Sequence, residues 1–362
     1  MPSPRVSRTD KLAAMLGEDN ADSRRVTIVD IARRAGVSTS AVSYALNGKP
    51  GVSPATREHI MAIAAELDWV PDAAARNLSQ GRSNTVGLVL TRDPRHLANE
   101  SFFMEFIAGV EISLAEHHQG LLLQLEPDIE SELATYRRWK SSNQVDGVLL
   151  VDLQRDDPRI ELVQRIGLPA VAVGDPSLSG GLMTVWTDDA SGVREAVRFL
   201  YDLGHRAIAR IGGSTRFAHV PIRDAAFADE CARLGVQHRS LEGDFGIELA
   251  EKLTEDLLDN PDNPYTAILY DSGLTAVTGL RVAQARGIRV PEELNIVGWD
   301  DSIMCTVTDP PISVMSYDVV SYGEHVGRIF NTLLASDPPT AHLEGAPRLH
   351  ERGSTWLRPT DV

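Results

Sequence analysis

The chain has 362 residues, of which 43% are hydrophobic and 24% are charged, which is ordinary for a globular protein of two or three domains. No apolar run is long enough for a membrane span or a secretion signal, so we expect a cytoplasmic protein without membrane contact. Cys231 and Cys305 lack the spacing of a metal site, and we expect buried free thiols, no metal and no cofactor.

The net charge of −16 is distributed unevenly along the chain. Residues 24–83 hold eight lysines and arginines against five acidic residues, a net charge of +3, whereas residues 84–362 carry −18. Residues 1–25 mix both signs without apolar periodicity, and we predict a mobile N-terminal arm there. A basic segment on an acidic body indicates that this segment alone meets an anionic partner such as nucleic acid, with an affinity that salt weakens.

Residues 26–70 predict a small helical domain that begins with two short helices. Thr27 is a suitable N-cap with Asp30 three residues later, and Gly36 ends the first helix because glycine accepts a positive φ. Ser38 caps a second helix that runs to about Asn47. Two short helices joined by a glycine turn of three to four residues predict a helix-turn-helix.

A third helix follows, with Ser53 as its cap and Pro54 at its first position, where the missing N–H costs nothing. Apolar residues at helical spacing predict the buried faces of the three helices. These residues are Ile28, Ile31 and Ala32 in the first helix, Val42, Ala45 and Leu46 in the second, and Ile60, Ile63, Ala64 and Leu67 in the third.

The second helix of a helix-turn-helix enters the major groove, and its first turns contact base edges. Thr39, Ser40, Ser43 and Tyr44 occupy those positions and offer hydroxyl groups that donate or accept hydrogen bonds. The alternative is a capped helix start that is merely solvated.

Residues 71–83 predict a short alanine-rich helix that begins near Pro71 and Asp72 and ends at Gly81. Such a helix is too short and too poor in apolar surface to be stable alone. It therefore requires a partner, which is either a second copy of itself or DNA.

From residue 84 onwards, short apolar runs alternate with helical stretches, which predicts parallel sheets covered on both faces and, from the number of units, two doubly wound lobes. The predicted strands are 85–90, 120–125, 146–151, 169–173, 207–211, 266–270 and 294–299, and the predicted helices are about 101–118, 129–141, 189–203, 222–235, 246–259 and 272–287.

Many segments of the chain match one known family. The matching text includes VTIVDIARRAGVS, ALNGKPGVS, LGHR, VPEELNIVGWDD, PPIS and a terminal RGST, within residues 26–356. In combination these segments resemble the lactose-repressor (LacI/GalR) family of bacterial transcription regulators. The resemblance implies a homodimer that binds a pseudo-palindromic operator as a repressor and responds allosterically to a small ligand.

The resemblance also implies the domain organisation. Residues 71–83 would be a hinge helix and linker, and residues 84–357 a two-lobed body like a periplasmic sugar-binding protein, for effector binding and dimerisation. Lobe one would comprise about 84–185 and 316–345, and lobe two about 186–315 and 346–357. Leu78 stands where the family inserts a leucine into the minor groove, an insertion that bends the duplex.

Tyr44 stands where the family very often has an arginine that reads guanine through two hydrogen bonds. Tyrosine cannot form that pair of bonds, so we expect an operator that differs from the family's usual one. The residues that we predict to contact DNA are Thr27, Ser38, Thr39, Ser40, Ser43, Tyr44, Asn47, Ala75 and Leu78.

Ligands of open α/β lobes bind beyond the carboxyl ends of the strands, and the cleft between two lobes is the expected site. By resemblance, Phe102 and Phe103 would be an aromatic pair near the effector, although a core pair is the alternative. Arg223 would bind a hydroxyl or carboxylate group of the ligand. Asp271 would accept hydrogen bonds from the ligand, and Asp271 also suits the N-cap of a helix. Phe245 would stack on the ligand, and Trp299 would lie at the lobe interface with ligand contact as an option.

Trp186, Asp188 and His219 are weaker candidates for the same site. Gly174 stands where the family often has an acidic ligand contact, with Asp175 one place away. Aromatic rings together with aspartate and arginine favour a sugar, while a nucleoside or a small acid stays open. Whether the ligand is an inducer or a corepressor, and whether a dimer or a tetramer forms, also stays open, although we expect a dimer.

Two other classes of function compete with this interpretation. An enzyme is disfavoured because the sequence has no nucleophile elbow, no phosphate-cradling glycine loop and no zinc-binding helix pattern. Gly212 and Gly213 are better explained as a tight turn. An exported sugar-binding protein is disfavoured because it requires a signal segment and has no use for a helix-turn-helix.

Overall fold

The computed structural model describes residues 26–69, 82–92, 94–97, 101–335 and 337–356. The chain divides into two compact units between Gln80 and Gly81, and we call residues 26–69 the head and residues 82–356 the body. The predicted arm, Ala75, Leu78 and all but the end of the predicted hinge segment lie outside the described residues. Cys231 and Cys305 are buried free thiols, as predicted.

The head contains three helices, α1 (Ile28–Ala35), α2 (Thr39–Leu46) and α3 (Pro54–Glu66). The Asp30 carboxylate accepts hydrogen bonds from the Thr27 N–H at 3.0 Å and from its hydroxyl at 2.7 Å. Gly36 ends α1 at φ +67°, and Ser38 accepts a bond from the Ala41 N–H at 3.1 Å. The predicted starts and stops of these helices are therefore confirmed by hydrogen bonds that satisfy otherwise unpaired backbone groups.

Most of the predicted inward residues form the core of the head. Ile31, Val42 and Ile60 are completely buried at its centre. The prediction for Ile28 is wrong, because its position at the first residue of α1 leaves the side chain 39% exposed. The buried members of this core are Ile31, Ala32, Val42, Ala45, Ile60, Ile63 and Ala64.

The body contains two six-stranded sheets with the same winding. In lobe one, the order is β11, β5, β4, β3, β1, β2, and all pairings are parallel. Its strands are β1 (Thr85–Leu90), β2 (Gly120–Leu125), β3 (Gly147–Leu150), β4 (Ala170–Val173), β5 (Met183–Thr187) and β11 (Ala341–Gly345).

In lobe two, the order is β12, β10, β9, β8, β6, β7, and only β12 runs antiparallel to its neighbour. Its strands are β6 (Ala207–Ile211), β7 (Gln237–Leu241), β8 (Ala267–Tyr270), β9 (Asn295–Trp299), β10 (Ser313–Ser316) and β12 (Arg348–His350).

Helices connect the strands. They are α4 (Pro94–Leu97), α5 (Ser101–Ala115), α6 (Ile129–Ser141), α7 (Pro158–Ile166), α8 (Asp189–Asp202), α9 (His219–Leu234), α10 (Ile247–Leu258), α11 (Gly273–Ala285), α12 (Ile303–Val307) and α13 (Val319–Leu334). Within the described residues, no helix is both long enough and apolar enough to cross a membrane.

The chain crosses between the two lobes three times. The crossings follow β5, β10 and β11, so residues 319–345 return to lobe one after lobe two has been built. Residues that follow the carboxyl ends of strands in both lobes line one cleft between the lobes.

The sequence analysis missed several elements. The strands β5, β7, β10, β11 and β12 were not predicted. β7 and β11 are edge strands without a fully buried residue, so they lack the apolar run of a buried strand. The helix α13 was also missed, since it contains Gly323 and Gly327, which lower helix propensity. A Cβ on Gly323 would lie 2.2 Å from the Phe106 carbonyl oxygen, so these glycines permit α13 to approach α5 closely.

Candidate functional site

The head exposes the predicted recognition residues at its surface. Ser38, Thr39, Ser40, Tyr44 and Asn47 are exposed, as is Thr27 at the start of α1, while Ser43 is half-buried. The Asn47 amide donates to the Ser43 carbonyl at 2.8 Å and to its hydroxyl at 3.4 Å, so this pair also ends α2. Thr39, Ser40 and Tyr44 are thus the members most directly available to a partner.

Tyr44 is held in a defined position despite being 44% exposed. Its ring lies beside Gly51, where a Cβ would come within 3.2 Å of Tyr44 Cδ2. Gly51 has φ +116°, a backbone conformation that favours glycine. The Arg57 guanidinium donates to the Lys49 carbonyl at 2.8 Å and fixes the segment that follows α2.

The body encloses a cavity of about 170 Å³ between the carboxyl ends of the two sets of strands. Phe102, Phe103, Arg223, Phe245 and Asp271 line this cavity, so five of the six predicted effector residues come together. The three weaker candidates, Trp186, Asp188 and His219, also line it.

Trp299 requires a correction. It does not line the cavity, because its side chain is completely buried at the end of β9. The Arg223 guanidinium carbon lies 4.0 Å from the Trp299 ring centroid, so the ring supports Arg223 from behind. We therefore assign Trp299 an indirect role.

Arg223 is held rigidly at the second turn of α9. Its Nε and Nη2 atoms donate to Asp189 Oδ2 at 2.9 and 2.8 Å. Burial lowers the pKa of Arg223, but the attraction of Asp189 and Asp271 outweighs burial and leaves this pKa above its usual value. The helix α9 begins at His219, three residues before the predicted start, since Pro221 is tolerated in a first turn.

Asp271 follows β8 and is also buried. Its Oδ2 accepts from the completely buried Arg210 and from the Gly213 N–H, the latter at 3.3 Å. Its Oδ1 is buried and has no hydrogen-bond partner, which is unusual for a carboxylate oxygen. The side chain of Ser272, and not that of Asp271, caps α11 by accepting a hydrogen bond from the Thr275 N–H at 3.2 Å.

Two rings from lobe two, His219 and Phe245, line the cavity, and the Phe217 ring packs against both of them. The centroids of His219 and Phe217 lie 6.0 Å apart in a stacked arrangement, and both rings lie near Phe245. Phe245 has φ +68°, an uncommon conformation for a bulky side chain, and such outliers concentrate at binding sites. Burial, followed by the nearby charge of Arg223, lowers the pKa of His219 to about 4, so the imidazole is neutral at pH 7.

The sequence analysis missed the ion pair between Arg92 and Asp152. Arg92 Nε and Nη2 donate to the two Asp152 oxygens at 2.7 and 2.8 Å. Burial raises the pKa of Asp152, but Arg92 outweighs burial, so the pKa of this carboxyl falls below its usual range. These residues follow β1 and β3, so the strand-end argument that selected Asp271 could have found them.

Arg92 also connects the two lobes. Its guanidinium carbon lies 4.8 Å from the Phe103 centroid in lobe one and 4.6 Å from the Phe217 centroid in lobe two. The Ala218 N–H donates to the Leu153 carbonyl at 2.8 Å across the same cleft. The cavity is therefore closed on this side in the structure.

Gly174 and Asp175 line the cavity from lobe one, after β4. Gly174 has φ +143°, and a Cβ there would lie 3.2 Å from Leu153 Cδ1. Asp175 lines the cavity, but its Oδ1 accepts from the Ser177 N–H at 2.9 Å and its hydroxyl at 2.6 Å. Among the described residues, no group of three or more His, Cys, Asp or Glu side chains could hold a metal ion.

Two family models match the chain. Residues 27–72 match the model described as bacterial regulatory proteins of the lacI family, and residues 197–355 match a periplasmic binding protein-like domain. The regulator CelR of Thermobifida fusca is 33% identical over 84% of this chain and 91% of its own length. The chain belongs to the LacI family of bacterial transcriptional regulators.

Other members of the LacI family cover still more of the chain. The repressor CytR of Escherichia coli K12 is 30% identical over 92% of this chain and 97% of its own length. A solved structure of a CelR–cellobiose complex is 29% identical, with a TM-score of 0.70 over 91% of this chain and all of that chain. The predicted family and the fold class, a helical head before a periplasmic-binding-protein-like body, are confirmed.

The relatives also decide between the classes of function considered from the sequence. They are DNA-binding transcriptional regulators, and this LacI-family chain is a regulator rather than an enzyme.

Proposed function

We propose that this LacI-family protein is a repressor that binds a pseudo-palindromic operator as a homodimer and that a saccharide in the inter-lobe cavity controls its affinity for DNA. One observation carries the proposal, namely that a single chain combines a capped recognition helix with an enclosed cavity that holds an unpartnered buried acceptor, Asp271 Oδ1. The cellobiose complex of CelR supports the choice of a saccharide.

In the head, we propose that Thr39, Ser40 and Tyr44 set the base preference. They are the exposed groups on the first turns of α2, the part of a recognition helix that contacts base edges. Thr27, Ser38, Ser43 and Asn47 would position the helix on the phosphate backbone through their hydroxyl or amide groups, since Ser38 and Asn47 cap α2, Ser43 lies within it and Thr27 caps α1.

In the body, we propose that Asp271 accepts from ligand hydroxyls and that Phe102, Phe103 and Phe245 contact the apolar surface of the ligand. Arg223 would bind a hydroxyl or carboxylate group of the ligand, and its hydrogen bond to Asp189 fixes its orientation. Lobe one would comprise about 84–185 and 316–345, so closure over the ligand would move it against lobe two.

A homodimer is supported by exposed apolar side chains on lobe one. Leu123 and Leu125 are 42% and 43% exposed on the edge strand β2, and Ile112 of α5, which contacts that strand, is 49% exposed. An exposed apolar edge strand that remains uncovered promotes aggregation, and a second copy of the chain would cover it. Light scattering should show a dimer, and the Leu123→Asp variant should shift it toward the monomer.

The proposed regulation requires a modest coupling of about 1–3 kcal/mol between the cavity and the head. Ligand binding in the cleft would change the relation between the two lobe-one units of the dimer and thereby change affinity for the operator. Measuring DNA binding with and without the ligand determines whether affinity for the operator rises or falls.

The deciding experiment is selection of bound duplexes from a random DNA pool at about 0.15 M salt, since salt strongly affects the outcome. We expect enrichment of a palindrome, followed by a change in its affinity when cellobiose or another saccharide is added. A pool that shows no enrichment, with or without saccharides, would contradict the proposal. The Tyr44→Ala variant provides a control, because it should alter the enriched sequence without affecting saccharide binding.

A further inference from the structure

We propose that Asn47 and Gly48, at the carboxyl end of α2, form a site of spontaneous deamidation, and that the modified head no longer binds DNA tightly. Of all the asparagines in the chain, only Asn47 is followed by glycine. The modification itself lies outside the proposed function, and only its effect on operator binding rests on that function.

The reaction needs no enzyme and no cofactor. The backbone nitrogen of Gly48 attacks the side-chain carbonyl carbon of Asn47, the new C–N bond replaces the bond to Nδ2, and ammonia leaves. Water then opens the cyclic imide at either of its carbonyl groups, which yields aspartate or isoaspartate. Glycine favours the attack because it has no Cβ beside the nitrogen and its backbone moves freely.

Both reacting groups are accessible at the end of α2. Asn47 and Gly48 are exposed. The Gly48 N–H makes a long hydrogen bond of 3.4 Å to the Ala45 carbonyl, whereas the Lys49 N–H donates at 2.9 Å to the Tyr44 carbonyl. The last turn of a helix opens at low cost, so the Gly48 nitrogen is released easily for the attack.

The aspartate product replaces a neutral donor by a negative charge. The Asn47 amide donates to the Ser43 carbonyl at 2.8 Å and to the Ser43 hydroxyl at 3.4 Å. An ionised carboxylate cannot donate, so it would face the Ser43 carbonyl oxygen without a hydrogen bond. The charge would also lie at the carboxyl end of α2, where the helix dipole disfavours an anion, and near the surface proposed to meet phosphate groups.

Isoaspartate has a larger effect, because the main chain then runs through the former side chain and is one carbon atom longer. Two bonds end α2, from the Gly48 N–H to the Ala45 carbonyl and from the Lys49 N–H to the Tyr44 carbonyl. This pair of bonds closes a helix only when the backbone between its donors and acceptors has its normal length. The extra carbon would move both donors away from their acceptors.

The same turn positions Tyr44. The Arg57 guanidinium of α3 donates to the Ala45 carbonyl at 3.3 Å and to the Lys49 carbonyl at 2.8 Å. Gly51, two residues after Lys49, lies against the Tyr44 ring. A longer turn would disturb these contacts, and with them one of the residues proposed to set base preference.

The first test ages the full chain, folded and free of DNA, in mildly alkaline buffer. Peptide mass spectrometry detects a gain of about 1 Da per deamidation, and labelling by an isoaspartyl methyltransferase identifies isoaspartate. Asn143 is the internal control, because it is exposed and follows the end of α6 but precedes Gln144. We expect modification of Asn47 to be at least about tenfold faster than that of Asn143.

The second test connects the modification to structure and binding. Ion exchange separates the modified molecules, which are compared with fresh protein and with the Asn47→Asp variant. Hydrogen exchange at the Lys49 amide should accelerate in isoaspartate-containing protein, and affinity for the duplex selected by fresh protein should fall by about tenfold or more. Asn47→Asp should lose less affinity than the isoaspartate form, because its main chain keeps the normal length.

The Asn47→Gln variant controls for other effects of ageing. It cannot form the same cyclic imide, so its affinity should stay at its own starting value while that of the unmodified protein declines. Modification of Asn47 no faster than that of Asn143 would overturn the inference. Unchanged Lys49 exchange or unchanged DNA affinity in isoaspartate-containing protein would do so as well. The proposed function fails separately, when fresh protein selects no duplex, and the mass and exchange measurements do not depend on that outcome.

Discussion

The head and the cavity hold their functional groups in opposite ways. Thr39, Ser40 and Tyr44 are exposed on α2, whereas Arg223 and Asp271 are buried and bound to other charged groups. The head presents solvated side chains that a partner must desolvate, while Arg223 and Asp271 are already shielded from water in the folded body. Substitutions in the head should therefore change recognition without changing stability, and substitutions in the cavity should change both.

The largest expected effect is that of Asp271→Asn on stability. Arg210 would lose one of its two carboxylate partners while remaining completely buried. Only the partly exposed Asp224 would then compensate the buried guanidinium, and we expect the free energy of unfolding to fall by about 3 kcal/mol. Urea denaturation measures this change in the free energy of unfolding. A change below about 0.5 kcal/mol is ordinary for a surface substitution and would contradict the contrast between head and cavity.

A smaller effect is expected from the pKa of His219. The folded imidazole has a pKa of about 4, below its usual value of 6.5, so between pH 6.5 and 4 the unfolded chain binds a proton that the folded chain does not. Stability should fall as the pH drops through this window, by up to about 2 kcal/mol at pH 5, and should be constant above pH 7.

Denaturation of the unmodified protein and of the His219→Gln variant, each at pH 7 and pH 5, isolates this contribution. The variant should lose less stability on acidification than the unmodified protein. Equal losses in both proteins would show that other groups carry the pH dependence.

The smallest effect on stability, and the largest on recognition, is expected from alanine at Thr39, Ser40 and Tyr44 together. Because these side chains are exposed, the free energy of unfolding should change by less than about 1 kcal/mol. Base preference should weaken, since each lost base contact costs about 1–3 kcal/mol of discrimination. Selection from a random DNA pool measures this, and an unchanged sequence preference would remove these residues from the recognition surface.

The sequence predicted those parts of the fold that carry strong local signals. Gly36, Ser38 and Ser53 define the ends of helices through backbone groups that need a local partner, and the buried parallel strands β1, β3 and β8 are mainly apolar runs. The edge strand β11 and the helix α13 could not be predicted in this way. Their formation depends on pairing and close packing with segments more than a hundred residues away in sequence.

The candidate site shows the same limit. Asp271 and Arg223 could be selected because they follow strands and match family motifs, and the cavity brings them together. The pairs Arg92–Asp152 and Arg223–Asp189 depend on side-chain directions that only the folded lobes define. Trp299 shows that a position at a strand end is insufficient, since the side chain can turn away from the cavity.

The three crossings between the lobes also affect how the protein is made. Residues 26–69 are contiguous, so the head can fold early as the chain leaves the ribosome, where domains generally fold as units from the N-terminus. Lobe one gains α13 and β11 only when residues 319–345 have been synthesised, after five of the six strands of lobe two. A nascent or truncated chain that lacks residues 319–345 would thus contain the helices of the head before it contains a complete cavity in the body.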